Sequence, residues 1–195
     1  MRALVVYESS FGNTAQIARA VWEGMFSRVQ DVTLLEVGGA PRLMPRDLDL
    51  LVVGGPTHAF GMSRAATRAD AQAQSGVTPA VATIGLREWV ASLEPLERPV
   101  YAATFDTRIY APHLPGSAAF GAMRALRRAG FQLTAESENF WVLGTKGPLR
   151  EGELERAHAW GVELSGLLSS LRPTGPPGPS VRSPRSFPGA GDAAR

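Results

Sequence analysis

Apolar residues follow two alternating rhythms along this chain. Ala3 to Tyr7 is an unbroken apolar, β-branched run, the pattern of a strand covered on both faces in a parallel sheet. Helical spacing follows at once, with Ala18, Val21, Trp22 and Met25 at i, i+3, i+4 and i+7 forming one stripe for packing on that sheet. "VTLLEV" (Val32 to Val37) reads as the second strand and "LDLLVVGG" (Leu48 to Gly55) as the third. The segment between them, "GGAPRLMPRD", is near the minimum length for joining parallel strands. Arg64 to Ser75 and Leu86 to Leu93 have helical character. "PVYAATF" (Pro99 to Phe105) gives a fourth strand, Ala119, Ala122, Met123 and Leu126 a further helical stripe, and "GFQLTAESENFWVL" a fifth strand region. Leu154, Ala157, Gly161, Leu164, Leu168 and Leu171 mark the last helix. Strands alternating with helices predict a three-layer α/β sandwich around a parallel sheet.

The pattern stops after Leu171. "PTGPPGPSVRSPRSFPGAGDAAR" is rich in Pro and Gly and has almost nothing to bury, so residues 1–171 are predicted to form the domain and 172–195 a disordered tail. A length of 195 residues suits that division. Formal net charge is +2, but the tail holds Arg172, Arg182, Arg185 and Arg195 against Asp192, leaving the domain near neutral. With no basic cluster or aromatic platform in the domain, nucleic acid is not an expected partner. There is no Cys, which excludes disulfides, thiolate metal sites and Cys nucleophiles together, so redox chemistry would need a bound cofactor. "MRALVVY" is too short for a signal peptide, and no apolar run approaches the ~18 residues of a membrane span. A cytoplasmic protein without membrane insertion is expected.

The candidate chemistry lies in loops. "SSFGNT" leaves the first strand and opens the first helix, which places free helix amides and a positive dipole end at the carboxyl edge of the sheet. Gly12 permits a tight turn, and Ser9, Ser10 and Thr14 add hydroxyls beside the amides. The Lys of a nucleoside-triphosphate loop and the three spaced glycines of a dinucleotide loop are both missing, so one terminal phosphate fits best. Ser9, Asn13 and Thr14 are equally good helix caps, and the loop by itself leaves the two readings even. The second loop, "GGPTHAFGM" (Gly54 to Met62), follows the third strand. In a five-stranded sheet of order 2-1-3-4-5 the first and third strands are neighbours at the switch point, so both loops line one crevice. There Pro56 and Gly61 fix the path, Thr57 offers a hydroxyl, and His58 and Phe60 offer flat side chains.

In these loops the chain resembles the flavodoxin family, in its shorter-chain form. "SSFGNT" is similar to that family's phosphate loop, "GPTHAFG" to its second flavin loop, and "ATFDTRIY" stands where a third loop is expected. The resemblance implies FMN as cofactor and electron transfer between redox partner proteins, a reductase and an acceptor, with no catalytic residue and no metal. It implies that Ser9, Ser10, Phe11, Gly12, Asn13 and Thr14 surround the phosphate. Pro56, Thr57, His58, Ala59, Phe60 and Gly61 would border the isoalloxazine ring, and Thr104, Phe105, Asp106 and Arg108 would reach its pyrimidine edge. His58 replaces a frequent Trp, and Ala59 stands where Gly or Asn is common. An FMN-dependent oxidoreductase on the same fold, a quinone reductase or a protoporphyrinogen-oxidase-like dehydrogenase, is the alternative.

Overall fold

A computed structural model describes residues 1–75, 84–111 and 115–171; the expected tail lies outside them. Strands β1 (Arg2–Tyr7), β2 (Asp31–Glu36), β3 (Leu50–Pro56), β4 (Tyr101–Ile109), β5 (Gln132–Leu133) and β6 (Glu138–Val142) form one parallel sheet. Its order is β2-β1-β3-β4-β5, as expected, with β6 also paired to β4. The fifth strand region is thus broken into β5, beside Tyr101 and Ala102, and β6, beside Phe105 to Ile109. The helices are α1 (Asn13–Met25), α2 (Ala65–Ser75), α3 (Leu86–Ala91), α4 (Ala118–Arg128) and α5 (Glu153–Leu171).

Continuous apolar strands work here because each residue faces one of two cores. Ala3, Val5, Leu50 and Val52 meet Ile17, Val21 and Met25 of α1 and Ala157, Leu164 and Leu168 of α5. Leu4, Val6, Leu51 and Val53 meet α3 and α4 through Leu86, Trp89, Ala122 and Leu126. The crossover from β2 to β3 contains only a 3-10 turn, Val37–Gly39, and adds Met44 and Leu48 to the second core.

Two expectations need correction. β4 runs past the expected end at Phe105 to Ile109, so Asp106 to Arg108, expected in a third loop, are strand. Their register against Gly55 and Pro56 on one side and Asn139 to Trp141 on the other supplies ladder hydrogen bonds that a polar sequence does not advertise. On α5, Leu154 is exposed, and the stripe is completed by Trp160, which packs edge-on to Phe105 and Phe140.

Candidate functional site

At the switch point, α1 begins where β1 has just ended. Gly12 has φ +86°, a left-handed turn open to Gly without steric cost, and an added Cβ would meet nothing within 4 Å. The residue is therefore selected for its backbone angle. The Ser9 hydroxyl accepts from the amides of Gly12 (3.1 Å) and Ala15 (3.3 Å), so it shapes the turn as a cap does. The remaining first-turn amides have no acceptor within the helix. Thr14 Oγ1 lies 2.7 Å from Thr107 Oγ1 of β4. Whichever hydroxyl accepts keeps its own proton for a ligand.

The second loop is a closed turn. His58 N donates to Gly61 O and Gly61 N to His58 O, at 2.9 and 3.1 Å, with Ala59 (φ 43°) and Phe60 (φ 71°) both left-handed at its tip. A two-residue turn that follows the twist of a sheet demands those angles, which cost a residue with a Cβ about 1–2 kcal/mol each. Gly116 lies against this tip, where a Cβ would stand 2.1 Å from Phe60 O. Because Ala59 already has the left-handed angle, Ala59→Gly is expected to raise unfolding stability by about 0.5–1 kcal/mol, although Gly normally lowers it. Urea denaturation tests this; a loss would show that the tip is not left-handed in solution.

These two loops and α2 enclose a cavity of about 310 Å³. Ser10, Phe11, Asn13 and Thr14 form one end, and Pro56 to Phe60 one wall. Of the residues expected from the fourth strand only Arg108 lines it, joined by Thr107 and Ile109. Ser9, Gly12 and Gly61 shape the loops behind the lining. The sequence reading missed Thr67, Asp70, Ala71 and Gln74 of α2, Val142 at the end of β6 and Thr145 after it. Their only signal was position, directly after a loop that reaches the sheet edge. Asn13 Nδ2 donates to Lys146 O (3.1 Å), and Lys146 Nζ donates to Gln74 O (2.6 Å), which ties α1 to α2 through the segment after β6.

Thr104, Phe105 and Asp106 do not line the cavity. Phe105 is wholly buried, and Gly54 exists to admit it, since a Cβ there would lie 1.9 Å from the Phe105 ring. Asp106 is equally buried. Its Oδ2 accepts from Thr57 Oγ1 (2.8 Å), Ser117 Oγ (2.7 Å) and the Ala119 amide (3.2 Å), while Oδ1 has no partner among the described residues. Burial raises its pKa above the usual Asp value, opposed by the hydrogen bonds from Ser117, Thr57 and Ala119 and by the charge of Arg108. The residue pins the second loop to the start of α4 from behind the cavity.

His58 is half-buried in the wall. Burial lowers its pKa, against the pull of Glu8 and the Thr67 backbone and aided by Arg68, so the imidazole is neutral at pH 7. Beneath it, buried Glu8 accepts the Leu86 amide (2.8 Å), and buried Arg68 bonds Ser63 (2.9 Å) and pairs with Glu88 (3.1 Å). Among the described residues no cluster of His, Asp and Glu is arranged to hold a metal, and no helix is long and apolar enough to cross a membrane. A cavity with helix amides and hydroxyls at one end and Pro56, Ala59, Phe60, Ala71, Ile109 and Val142 along its walls accepts a flat apolar group joined to an anion.

No protein-family model matches the chain, and no curated protein does. Solved structures do. A flavodoxin from the domain Archaea is 18% identical over 87% of this chain and 99% of its own, with a TM-score of 0.57. Flavodoxin 1 from Bacillus cereus is 13% identical over 88% and 99%, with a TM-score of 0.59. Rubredoxin oxygen:oxidoreductase from Desulfovibrio gigas matches 87% of this chain with 36% of its own, at 15% identity and a TM-score of 0.58. Strand order, the crevice between β1 and β3 and these superpositions agree: the chain has the flavodoxin-like fold.

Proposed function

We propose that the protein binds FMN and carries electrons between redox partner proteins in the cytoplasm. The observation that carries this reading is the cavity itself, which joins a helix N-terminus carrying hydroxyls to an apolar slot at the switch point. The residues fit the cofactor. First-turn amides of α1 with Ser10, Asn13 and the Thr14–Thr107 hydroxyl pair would hold the phosphate, and Ser9 would act through the shape of the turn. Pro56 to Phe60 would border the ring, with α2 covering the slot. When bound, FMN supplies reversible one- and two-electron chemistry. The chain's own residues exclude water from the slot and orient the ring, and the two flavodoxins among the similar structures support the reading.

Fluorescence titration tests it. FMN is expected to bind at least ~100-fold more tightly than riboflavin, and Thr14→Ala to cost about 1.5–3 kcal/mol toward FMN but little toward riboflavin, since a hydrogen bond to a charged group is lost only in the first case. Equal affinity for the two flavins would refute the assignment. The oxidoreductase reading, a quinone reductase or protoporphyrinogen-oxidase-like dehydrogenase, is favoured by one observation: a neutral His58 in the cavity wall. Turnover of a small quinone by the purified protein would decide for it.

A further inference from the structure

The loop that leaves β6 crosses back over the start of α1. Asn13 Nδ2 donates to Lys146 O at 3.1 Å, and Gly147 packs so closely on Asn13 that a Cβ there would lie 2.5 Å from its Oδ1. Thr145 of the same loop lines the cavity together with Ser10, Asn13 and Thr14. The main chain of Lys146 is thereby fixed at the end of the cavity where the phosphate would sit. From there its ammonium group donates to Gln74 O, in the last turn of α2, at 2.6 Å.

That bond matters because α2 depends on polar ties. Among the described residues, neither hydrophobic core draws a side chain from it. Arg68 ties its first half to Ser63 (2.9 Å) and Glu88 (3.1 Å), and Lys146 ties its end. A Lys ammonium has three donors, of which one goes to Gln74, and Lys146 forms no ion pair among the described residues. Other cations near the cavity are turned elsewhere. Thr107 faces Thr14, and successive strand residues point to opposite faces, so the Arg108 guanidinium lies across the strand, 5.7 Å from the Trp141 ring centroid. Arg150 stacks on Tyr110 at 4.4 Å.

We propose that Lys146 binds the phosphate of the flavin while keeping its bond to Gln74 O, so that the phosphate fastens α2 over the cavity. The proposal rests on the FMN reading of the site. A phosphate monoester carries about −1.5 to −2 charge at pH 7, and a helix N-terminus offers only partial positive charge against it. Lys146 adds a full charge where the loop "SSFGNT" has none. Because its ammonium group also holds the end of α2, phosphate recognition and closure of the slot become one event. Riboflavin, which lacks the phosphate, leaves the contact unmade.

Titration of the full chain with FMN and with riboflavin tests the contact. Lys146→Met is expected to weaken FMN binding ~5-fold and riboflavin binding less than ~2-fold, with the FMN difference shrinking at about 0.5 M salt, where an exposed charge is screened. Lys146→Arg keeps the charge and is expected to hold FMN affinity within ~2-fold. Lys146 is the only lysine in the sequence, so lysine labelled with carbon-13 at Cε gives one NMR signal, expected to shift with FMN and not with riboflavin. In hydrogen exchange FMN is expected to protect the amides of α2 more than riboflavin does, and Lys146→Met to abolish that difference. Unchanged FMN affinity in Lys146→Met, or a lysine signal that FMN leaves in place, would overturn the proposal. So would equal losses toward both flavins, which mark Lys146 as a tie between loop and helix alone, or a loss in Lys146→Arg as large as in Lys146→Met. If the unmodified protein binds neither flavin, the FMN reading itself falls; if it prefers FMN and Lys146→Met does so equally, only this proposal falls.

Discussion

Gly161→Ala is expected to lower the stability of the fold by about 3 kcal/mol, although Ala favours a helix interior by about 1 kcal/mol over Gly. The reason is the meeting of α1 and α5. A Cβ on Gly161 would stand 2.2 Å from Val21 O and 3.2 Å from Gly24 Cα, and one on Gly24 would stand 2.1 Å from His158 O. These are main-chain atoms inside two helices, so neither contact is relieved by turning a side chain. The helices must separate, and the core of Ile17, Val21, Ala157 and Leu164 beneath them loses contact as they do. Gly166→Ala on the same helix provides the internal comparison. There the nearest atom is the Arg28 guanidinium end at 3.8 Å, and a gain of about 0.5–1 kcal/mol is expected from propensity. Chemical denaturation of both variants checks the pair. For a chain of this size the Gly161 loss corresponds to a fall of roughly 6–12 °C in Tm. Equal small gains at both positions would show that the helices are not in backbone contact.

Asp106→Ala is expected to cost about 3–5 kcal/mol, because it removes the acceptor shared by Thr57, Ser117 and the Ala119 amide in a fully buried site. Thr57 also accepts the Ala118 amide at 2.9 Å, so its released hydroxyl loosens the root of the second loop, and FMN affinity is expected to fall with stability. Asp106→Asn should cost far less. All three donors converge on Oδ2, and a single amide oxygen can receive them. The two proteins differ in pH dependence. Since burial raises the folded-state pKa of Asp106 above its unfolded value, the native state binds this proton at higher pH than the unfolded state does. The stability of the unmodified protein relative to Asp106→Asn is therefore greatest below the ordinary Asp pKa and declines as pH rises through the raised value. Urea titrations from acid to neutral pH measure the difference. A constant difference, or one growing with pH, contradicts the assignment.

Much of the architecture was legible because burial on both faces leaves a distinct trace. Runs such as Ala3 to Tyr7 and Leu50 to Val53 have no polar alternation, and only a sheet covered by two layers of helices tolerates that. The end of β4 was not legible. The family resemblance puts Asp106, Thr107 and Arg108 in a third loop, yet all three continue the strand, with Asp106 and Thr107 buried against bonding partners distant in sequence, Thr57 and Thr14. The same limit concealed Thr104 and Phe105 as interior residues and α2 as a cavity wall.

The sequence by itself determined the element order, the parallel sheet and the two loops that meet at its switch point, since periodicity and glycine placement are local properties. Tertiary structure decided which residues of those loops face the cavity. Ser9 turned back to its own amides, and Ala59 and Phe60 took left-handed angles that local preference opposes. The physical reason is that packing of Gly116 against the turn and the tie from Asp106 to Thr57 act between segments far apart in the chain, where local preferences of about 1–2 kcal/mol are outweighed.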